Sequence, residues 1–503
     1  MRRAQFLWRG PVLRKPTLFL PSISTGRSLV RHLSSCPTRA AACSVAVLAA
    51  LLGGCASWHA QPLPAGVSLL EPDGVARVQI DAAAMPLPEL AAHRFDPSDG
   101  FDMDEVAMLA VANNPDLKLA RDDLGIARAQ AFSAGLLPDP QVSVSSDYPG
   151  AIGMSRAFSY GLSMDVMALL TRSANVKSAN AAAQKTDLTL LWQEWQVVAQ
   201  ARQLYVKTRF QTAALPLLAQ QAELARTRYD RTADAARRHD MTADVVTAAL
   251  TAYEDARKAW TDMQHAQAQT HHDLNALLGL APDVELPLAD APSRDMALPD
   301  ASLDDAMHQL PQRRPDLIAL QLGYEAQEQK YRAAILNQFP SLSIGFTRQR
   351  DTSEIYTSGF AINLTLPVFN RNRGNIAIEQ ATRQRLADEY QARLNTAYAD
   401  IAHLRNDSAI AARQLAQDDA ALPELERAAA HAHRAYTAHD ITLGQYVDAQ
   451  SAANARRLDA ETAREALAEQ RIGLQALLGN VMPDNTHDQS VAAAHRHSNS
   501  LAR

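Results

Sequence analysis

The chain has 503 residues, of which 47% are hydrophobic and 21% are charged. This composition is typical of a folded protein and excludes a disordered one. The formal net charge of −6 is small for this length and argues against nucleic acid as a partner.

Residues 1–54 have the pattern of a secretory signal peptide. Eight Arg or Lys residues and no acidic residue occur in the first 42 positions, and an apolar run follows at 45–52. Cys55 comes directly after Leu52, Gly53 and Gly54, which resembles a bacterial lipobox. We therefore expect Cys55 to be lipidated, the alternative being an unmodified Cys after an ordinary signal peptide. Ala56 stands where an inner-membrane retention signal would need an acidic residue, so outer-membrane sorting is favoured.

Residues 55–100 are rich in Pro, Gly and Asp and have no helical periodicity, which predicts a lipid-anchored extended arm. The chain has only three cysteines, Cys36, Cys43 and Cys55. Since two of them precede the predicted cleavage site, the mature protein is expected to have neither a disulfide nor a cysteine-based metal site.

The rest of the chain is a duplication with a constant offset of 200 residues. Matching segments are 114–117 with 314–317, 140–144 with 340–344, 239–242 with 439–442, and 277–279 with 477–479. One offset at four places predicts two copies of a single architecture. We assign the first repeat to 101–295 and the second to 296–480, followed by a disordered tail at 481–503.

Each repeat contains two segments in which apolar residues occupy every second position. This period of two predicts strands with different surroundings on their two faces. The predicted strands are at about 140–148, 157–167, 340–349 and 358–367. Turn-rich stretches join them into two hairpins whose strands have the length of transmembrane β spans. A small soluble sheet packed on helices is the alternative.

Four strands are too few for a closed barrel, and an open sheet edge is not tolerated in lipid. If the strands cross a membrane, the chain must therefore form oligomers. A trimer would supply an even number of strands, twelve, to one barrel.

Long helices make up most of each repeat. The segments from 169 to about 238 and from 374 to about 439 contain one proline each, Pro216 and Pro423, which predict a kink or break. Return helices are predicted from Thr242 to Leu278 and from Thr442 to Leu478, with a coiled-coil seam between outgoing and return helices. The fold class is thus mainly α, with an α-barrel of helical hairpins and a small transmembrane β part.

The bends between outgoing and return helices are expected at the end farthest from the membrane. Thr442 and Gln445 form a predicted capping box, and Thr242 can cap the first return helix. Since threefold symmetry turns one Asp into a ring of three, the candidate gate residues are the following: Asp240, Thr242, Asp244, Asp440 and Thr442.

These features together resemble the TolC-like outer-membrane factors. The most specific match is the stretch 366–375, Leu-Pro-Val-Phe-Asn-Arg-Asn-Arg-Gly-Asn, which looks like the CzcC-like and CusC-like metal-efflux branch. The first repeat departs from this pattern, because it lacks the proline after its second strand. The resemblance covers about residues 100–480. It implies a homotrimer with a twelve-stranded barrel in outer-membrane lipid, docked to a periplasmic adaptor and an inner-membrane pump of the resistance-nodulation-division (RND) type.

The sequence contains no phosphate-binding loop, zinc-protease motif or nucleophile elbow, so we predict a channel without cofactors and not an enzyme. The cargo is expected to be heavy-metal cations, with multidrug efflux, type I protein secretion or a non-spanning periplasmic scaffold as alternatives. No metal site is predicted. The histidines are poorly spaced for shared coordination or lie in the tail: His271 with His272, His431 with His433, and His487, His495 and His497.

Overall fold

The computed structural model describes residues 58–75, 77–150, 152–289 and 300–478. The chain divides into two units, Met1–Val67 and Ser68–Arg503. In the first unit, residues 58–67 are exposed and have no regular secondary structure. The predicted signal peptide, Cys55 and the tail at 481–503 lie outside the described residues.

The first repeat consists of short helices, a β hairpin and a long helical hairpin. Two short helices, α1 (Pro72–Val75) and α2 (Pro88–Ala92), precede it. Its elements are α3 (Met103–Asn113), α4 (Pro115–Gly135), β1 (Gln141–Asp147), β2 (Ala157–Asp165), α5 (Val166–Arg237) and α6 (Ala243–Leu277). The second repeat has the same order, as the constant offset predicts, with two helices in place of α3. Its elements are these two helices, α7 (Asp300–His308) and α8 (Leu310–Arg313), then α9 (Pro315–Leu336), β3 (Ser341–Arg350), β4 (Tyr356–Thr365), α10 (Arg373–Thr437) and α11 (Leu443–Leu478).

Residues 68–100 differ from the predicted extended arm. They form α1, α2 and two 3₁₀ turns, and Leu70 is bridged to Leu280 by backbone hydrogen bonds. Leu87 and Leu90 are buried in the main core, against α3 and α5. Apolar residues spaced without a regular period gave no helical signal, yet they bury enough surface to hold this segment on the first repeat.

The main core is built around α3. A capping box begins this helix: the Asp102 carboxylate accepts from the Glu105 N–H at 2.8 Å, and the Glu105 carboxylate accepts from the Asp102 N–H at 2.9 Å. Nine of its eleven residues are buried. The smaller second core has the same position in the second repeat and contains Leu310, Leu317 and Ile401.

The long helices continue through both prolines. Pro216 lies inside α5 and Pro423 inside α10, so neither proline breaks its helix. With 72 and 65 residues, the two helices are about 110 Å and 100 Å long at 1.5 Å per residue. Each packs against its return helix, α5 with α6 and α10 with α11.

The two repeats differ where the sheet joins the long helices. In the first repeat, β2 ends at Asp165 and not at 167, and its carboxylate accepts from the N–H groups of Met167 and Ala168, which starts α5 at once. In the second repeat, seven residues separate β4 from α10. Arg371 and Asn372 there adopt positive φ angles of 48° and 53°. The missing proline of the first repeat thus coincides with a direct strand-to-helix junction.

Candidate functional site

The four strands form one antiparallel sheet in the order β1-β2-β3-β4. Its central row runs straight across the sheet, with Val142 paired to Leu162, Leu162 to Phe346, and Phe346 to Phe360. Residues two positions away share the same face because side chains alternate along a strand. The resulting apolar face contains Val142, Val144, Phe158, Tyr160, Leu162, Met164, Leu342, Ile344, Phe346, Phe360, Ile362 and Leu364.

This apolar face is exposed in the single chain. Phe360 is 85% exposed and Ile362 is 68% exposed, although Phe346 and Phe360 meet edge to face at 6.0 Å. A contiguous apolar surface of this kind marks an interface with lipid or protein.

The opposite face of the sheet is small and polar. Its residues are Gln141, Ser143, Ser145, Asp147, Ala157, Ser159, Gly161, Ser163, Asp165, Ser341, Ser343, Gly345, Thr347, Gln349, Thr357, Gly359, Ala361, Asn363 and Thr365. Asp147 and Asp165 are the only charged residues among them, and they lie at opposite ends of the strands. The sheet thus has an apolar face and a polar face, and the polar face carries only negative charge.

Both outer edges of the sheet are open in the described part of the chain, because no strand pairs with the outer side of β1 or β4. An open edge exposes unpaired backbone groups, which is unfavourable in lipid. Further copies of the chain must therefore complete the sheet if it crosses a membrane.

The helical tips lie far from the sheet along α5 and α10, and the two repeats build them alike. The N–H of Asp240 donates to the carbonyl of Ala235 at 2.9 Å, and the N–H of Asp440 donates to the carbonyl of Ala435 at 2.8 Å. The residue before each Asp has a positive φ, 66° at His239 and 61° at His439. This is the Schellman arrangement, in which glycine is usual at the left-handed position.

We expect glycine at the two left-handed positions to stabilise the protein, because a side chain there costs about 1 kcal/mol. The double variant His239→Gly/His439→Gly should unfold at a higher temperature than wild type in thermal denaturation of the purified oligomer. Ala438→Gly is the matched control. Its φ is −80°, so glycine there should lower the unfolding temperature. A lower unfolding temperature for the double variant would contradict the prediction.

Side-chain contacts between the first long helix and the second return helix bring the two tips together. Arg228 of α5 pairs with Asp448 of α11 at 2.7 Å, and Gln221 donates to Ser451 at 3.0 Å. From the ion pair, 11 residues lead to His239 and 9 lead to His439, or about 16 Å and 13 Å of helix. The two tips therefore end at nearly the same level.

Each predicted tip residue lies in or beside these turns. Asp240 pairs with Arg238 at 3.3 Å. Asp440 is exposed and forms no ion pair within the described ranges. The Thr242 hydroxyl donates to the Asp244 carboxylate, and this hydrogen bond is the main cause that lowers the pKa of Asp244 from its usual range.

The two threonines of the tips have different roles. Thr442 caps α11 as predicted: the Gln445 N–H donates to its hydroxyl at 3.3 Å, and its own N–H donates to the Gln445 side chain at 3.0 Å. Thr242 makes no side-chain capping bond to α6, so that prediction is wrong. Its hydroxyl is engaged by Asp244, which competes for it.

A pair of carboxylates that the sequence analysis missed lies toward the C-terminal end of α11. Glu465 and Glu469 are one helical turn apart, close to Lys207 of α5. Partial burial and the charge of Glu469 raise the pKa of Glu465 to about 7, and partial burial also raises the pKa of Glu469. Only the packing of α11 on α5 produces this burial, so no pattern in the sequence signals it.

The raised pKa predicts that protonation of Glu465 stabilises the folded chain. Stability from this group is fully present below the unfolded-state pKa near 4.5 and is lost as pH rises through about 7. Glu465→Gln should therefore raise the unfolding temperature at pH 8 by about 2 °C, discounted for partial exposure, and change little at pH 5. Glu461→Gln, on the same helix and paired with Arg464 at 2.6 Å, is the control. Equal shifts at the two pH values would contradict the prediction.

The described residues contain no group of three or more His, Cys, Asp or Glu side chains placed to hold a metal ion. Among the poorly spaced histidines, the His271 ring nitrogen contacts the carbonyl of Val284 at 2.8 Å, and His431 contacts Arg434 at 3.0 Å. The tail histidines lie outside the described residues. In the described parts of the chain, no helix combines the length and the apolar character needed to cross a bilayer.

In this chain a two-faced sheet with open edges is joined to helical hairpins about 100 Å long. Solved structures share this fold. CusC has 20% sequence identity and a TM-score of 0.61, covering 79% of this chain and 98% of CusC. VceC of Vibrio cholerae has 16% identity and a TM-score of 0.60, covering 75% and 96%. The CmeC outer membrane channel of Campylobacter jejuni has 15% identity and a TM-score of 0.63, covering 87% and 98%.

The sequence matches a family model over part of its length. Residues 306–480 match the family described as outer membrane efflux protein, while no curated protein matches the sequence. Over both repeats the chain has the fold of these solved structures. Its architecture is mainly α, with one antiparallel sheet of four strands per chain. The predicted recognition and fold class are confirmed.

Proposed function

We propose that the chain forms a trimeric outer-membrane channel, with an α-barrel extending into the periplasm, and that this channel belongs to a tripartite efflux system that exports heavy-metal cations. In this proposal a periplasmic adaptor binds the helical tips, and an inner-membrane RND-type pump supplies the driving force. The channel itself provides a water-filled pore that opens when the channel is coupled to these partners.

The charge on the polar face of the sheet is the main support for this proposal. Among the residues of that face, only Asp147 and Asp165 are charged. In a trimer each becomes a ring of three carboxylates, one near either end of the barrel. Rings of Asp or Glu favour cations over anions in a pore. Cation selectivity fits metal export, and the 366–375 stretch points to the same branch of the family.

We place the gate at the helical tips. Asp240, Asp244 and Asp440 lie in or beside the two adjacent turns. Thr442 caps α11, and the Thr242 hydroxyl donates to Asp244. Three copies would surround the periplasmic opening with nine carboxylates. The exposed turns also offer the surface to which an adaptor would dock.

Cys55 is the proposed lipid attachment site, since it follows the lipobox-like residues Leu52, Gly53 and Gly54. Mass spectrometry of the mature N-terminus tests this directly. A diacyl mass at Cys55 supports the anchor, and an unmodified N-terminus at another residue would refute it.

The cargo is tested by deleting the gene and measuring growth in zinc, cobalt, cadmium, copper and antibiotics. The expected result is sensitivity to one or more metals that the wild-type gene restores. Unchanged metal tolerance with new antibiotic sensitivity would instead assign multidrug efflux, and loss of a secreted protein would assign type I secretion. Chemical crosslinking in cells, followed by identification of the linked proteins, tests the adaptor and the pump.

The gate is tested by ion selectivity in planar bilayers. The variant Asp240→Asn/Asp440→Asn should permeate cations less selectively than wild type. Asp230→Asn, which removes an exposed carboxylate paired with Arg226 along α5, is the control and should leave selectivity unchanged. Equal cation-to-anion permeability ratios in the tip variant and wild type would place the gate elsewhere.

A further inference from the structure

Arginines interrupt the apolar face of the sheet at one end only. Arg348 and Arg350 continue the alternation of Leu342, Ile344 and Phe346 on β3, so all five share one face. Register pairs Arg348 with Tyr160 and Ser358, and Arg350 with Phe158 and Tyr356. The apolar face therefore ends in a row of aromatic and cationic side chains beside the hairpin loops.

The topology determines on which side of the membrane this row lies. At the other end of the sheet, β2 and β4 lead into α5 and α10, which form the periplasmic barrel. The hairpin loops must then face the exterior. Arg348 and Arg350 consequently lie at the outer leaflet, on the face that meets lipid.

Aromatic rings orient the arginine guanidinium groups at this end of the sheet. The Arg348 guanidinium lies 5.9 Å from the centre of the Tyr356 ring, and that of Arg350 lies 6.0 Å from the same ring. Arg156 lies 4.4 Å from the centre of the Tyr148 ring in the neighbouring loop. Stacking on an aromatic ring orients a guanidinium and leaves its N–H groups available for a further partner.

The charges around this row leave an excess of positive charge. Glu354 pairs with Arg350 at 2.5 Å and accepts from the Ser155 hydroxyl at 2.5 Å, which ties the two hairpin loops together. Asp351 accepts from the N–H groups of Ser353 and Ile355 inside its own turn. Arg348 is exposed and forms no ion pair in the described part of the chain. A trimer repeats this arrangement three times around the barrel.

We propose that Arg348 and Arg350, with Tyr160 and Tyr356 beside them, bind the phosphate groups of a phosphorylated glycolipid in the outer leaflet. Arginine presents paired N–H donors that match phosphate oxygens. The acyl chains of such a lipid would continue along Phe346, Ile344 and Leu342 directly below the headgroup. This continuity of cationic rim and apolar band favours a lipid over a free anion. The site is separate from the pore, so it does not depend on the nature of the cargo.

The test is a titration of the detergent-purified trimer with diphosphorylated lipid A, followed by native mass spectrometry. Arg348→Gln/Arg350→Gln should weaken binding by about 30-fold, the loss expected for two cationic contacts with an anionic headgroup. Arg348→Lys/Arg350→Lys keeps the charge and should weaken it less. Arg427→Gln/Arg434→Gln, which removes two charges from α10, is the matched control and should bind as wild type does.

Several outcomes would overturn the proposal. Unchanged affinity of the glutamine variant would show that the arginines do not bind the lipid. Equal binding of dephosphorylated lipid A by wild type would show that the phosphate groups are not recognised. Displacement of the lipid by millimolar inorganic phosphate would show a free-anion site instead. If the double variant does not assemble, Arg348→Gln alone is measured against the same control. Conductance of the variants in bilayers without lipid A should equal that of wild type, and a loss would assign the arginines to the pore.

Discussion

Phe346→Arg is expected to prevent the chain from assembling into membrane-inserted trimers. Phe346 lies in the central row of the apolar face, and an arginine near the middle of the bilayer costs a β-barrel about 2–4 kcal/mol. Each trimer would carry three such charges, and the summed cost is comparable with the whole stability of a typical protein. Membrane fractionation and native electrophoresis should show loss of the trimer from the outer membrane.

The neighbouring residue supplies the control for this prediction. Thr347 lies on the polar face and is paired with Gly161 and Gly359 in the register. An arginine side chain at this position therefore has room and can remain hydrated. This variant should assemble normally but conduct cations poorly, because it adds three positive charges to the pore. If the two variants assembled equally well, the assignment of the two faces would be wrong.

Arg202→Met is expected to destabilise the folded chain by about 3–5 kcal/mol, the usual result of removing one partner from a buried ionic group. The Arg202 side chain is 5% exposed and pairs with Glu89 of α2 at 2.5 Å and with Asp104 of α3 at 2.8 Å. Without the guanidinium, the carboxylates would be left in the main core with their attraction to Arg202 lost. Chemical denaturation of the purified protein should report the loss.

Two controls separate the buried charge from charge in general. Arg226→Met removes an arginine from the same helix, but its partners Glu223 and Asp230 are exposed, so the loss should stay below about 1 kcal/mol. Adding Asp104→Asn to Arg202→Met should recover part of the stability, because one uncompensated charge is removed. Equal effects of Arg202→Met and Arg226→Met would contradict the role assigned to the buried group.

The duplication and the two-faced strands could be predicted because they are written in local periodicity. Alternation along β2 to β4 fixes which residues share a face, and a constant offset fixes the order of elements in both repeats. The capping box of Thr442 and Gln445 was also predictable, since capping depends on residues three positions apart. The gate residues and the lipidation of Cys55 stay predictions.

Other features could not be predicted, because they depend on contacts between residues distant in the sequence. Residues 68–100 fold onto α3 and α5, and Arg202 meets Glu89 across 113 positions. The relative level of the two tips depends on how α11 packs along α5, where Arg228 pairs with Asp448, 220 positions apart. Glu465 acquires its raised pKa only where α11 packs on α5 beside Lys207.

The sequence by itself determined the repeat, the element order and the separation of apolar from polar faces, because these are properties of neighbours along the chain. The tertiary structure alone decided which charges are buried, where the hairpins end relative to one another, and which end of the apolar face carries the arginine row. Burial and register are set by packing between elements, and free energies of this kind do not appear in any single stretch of residues.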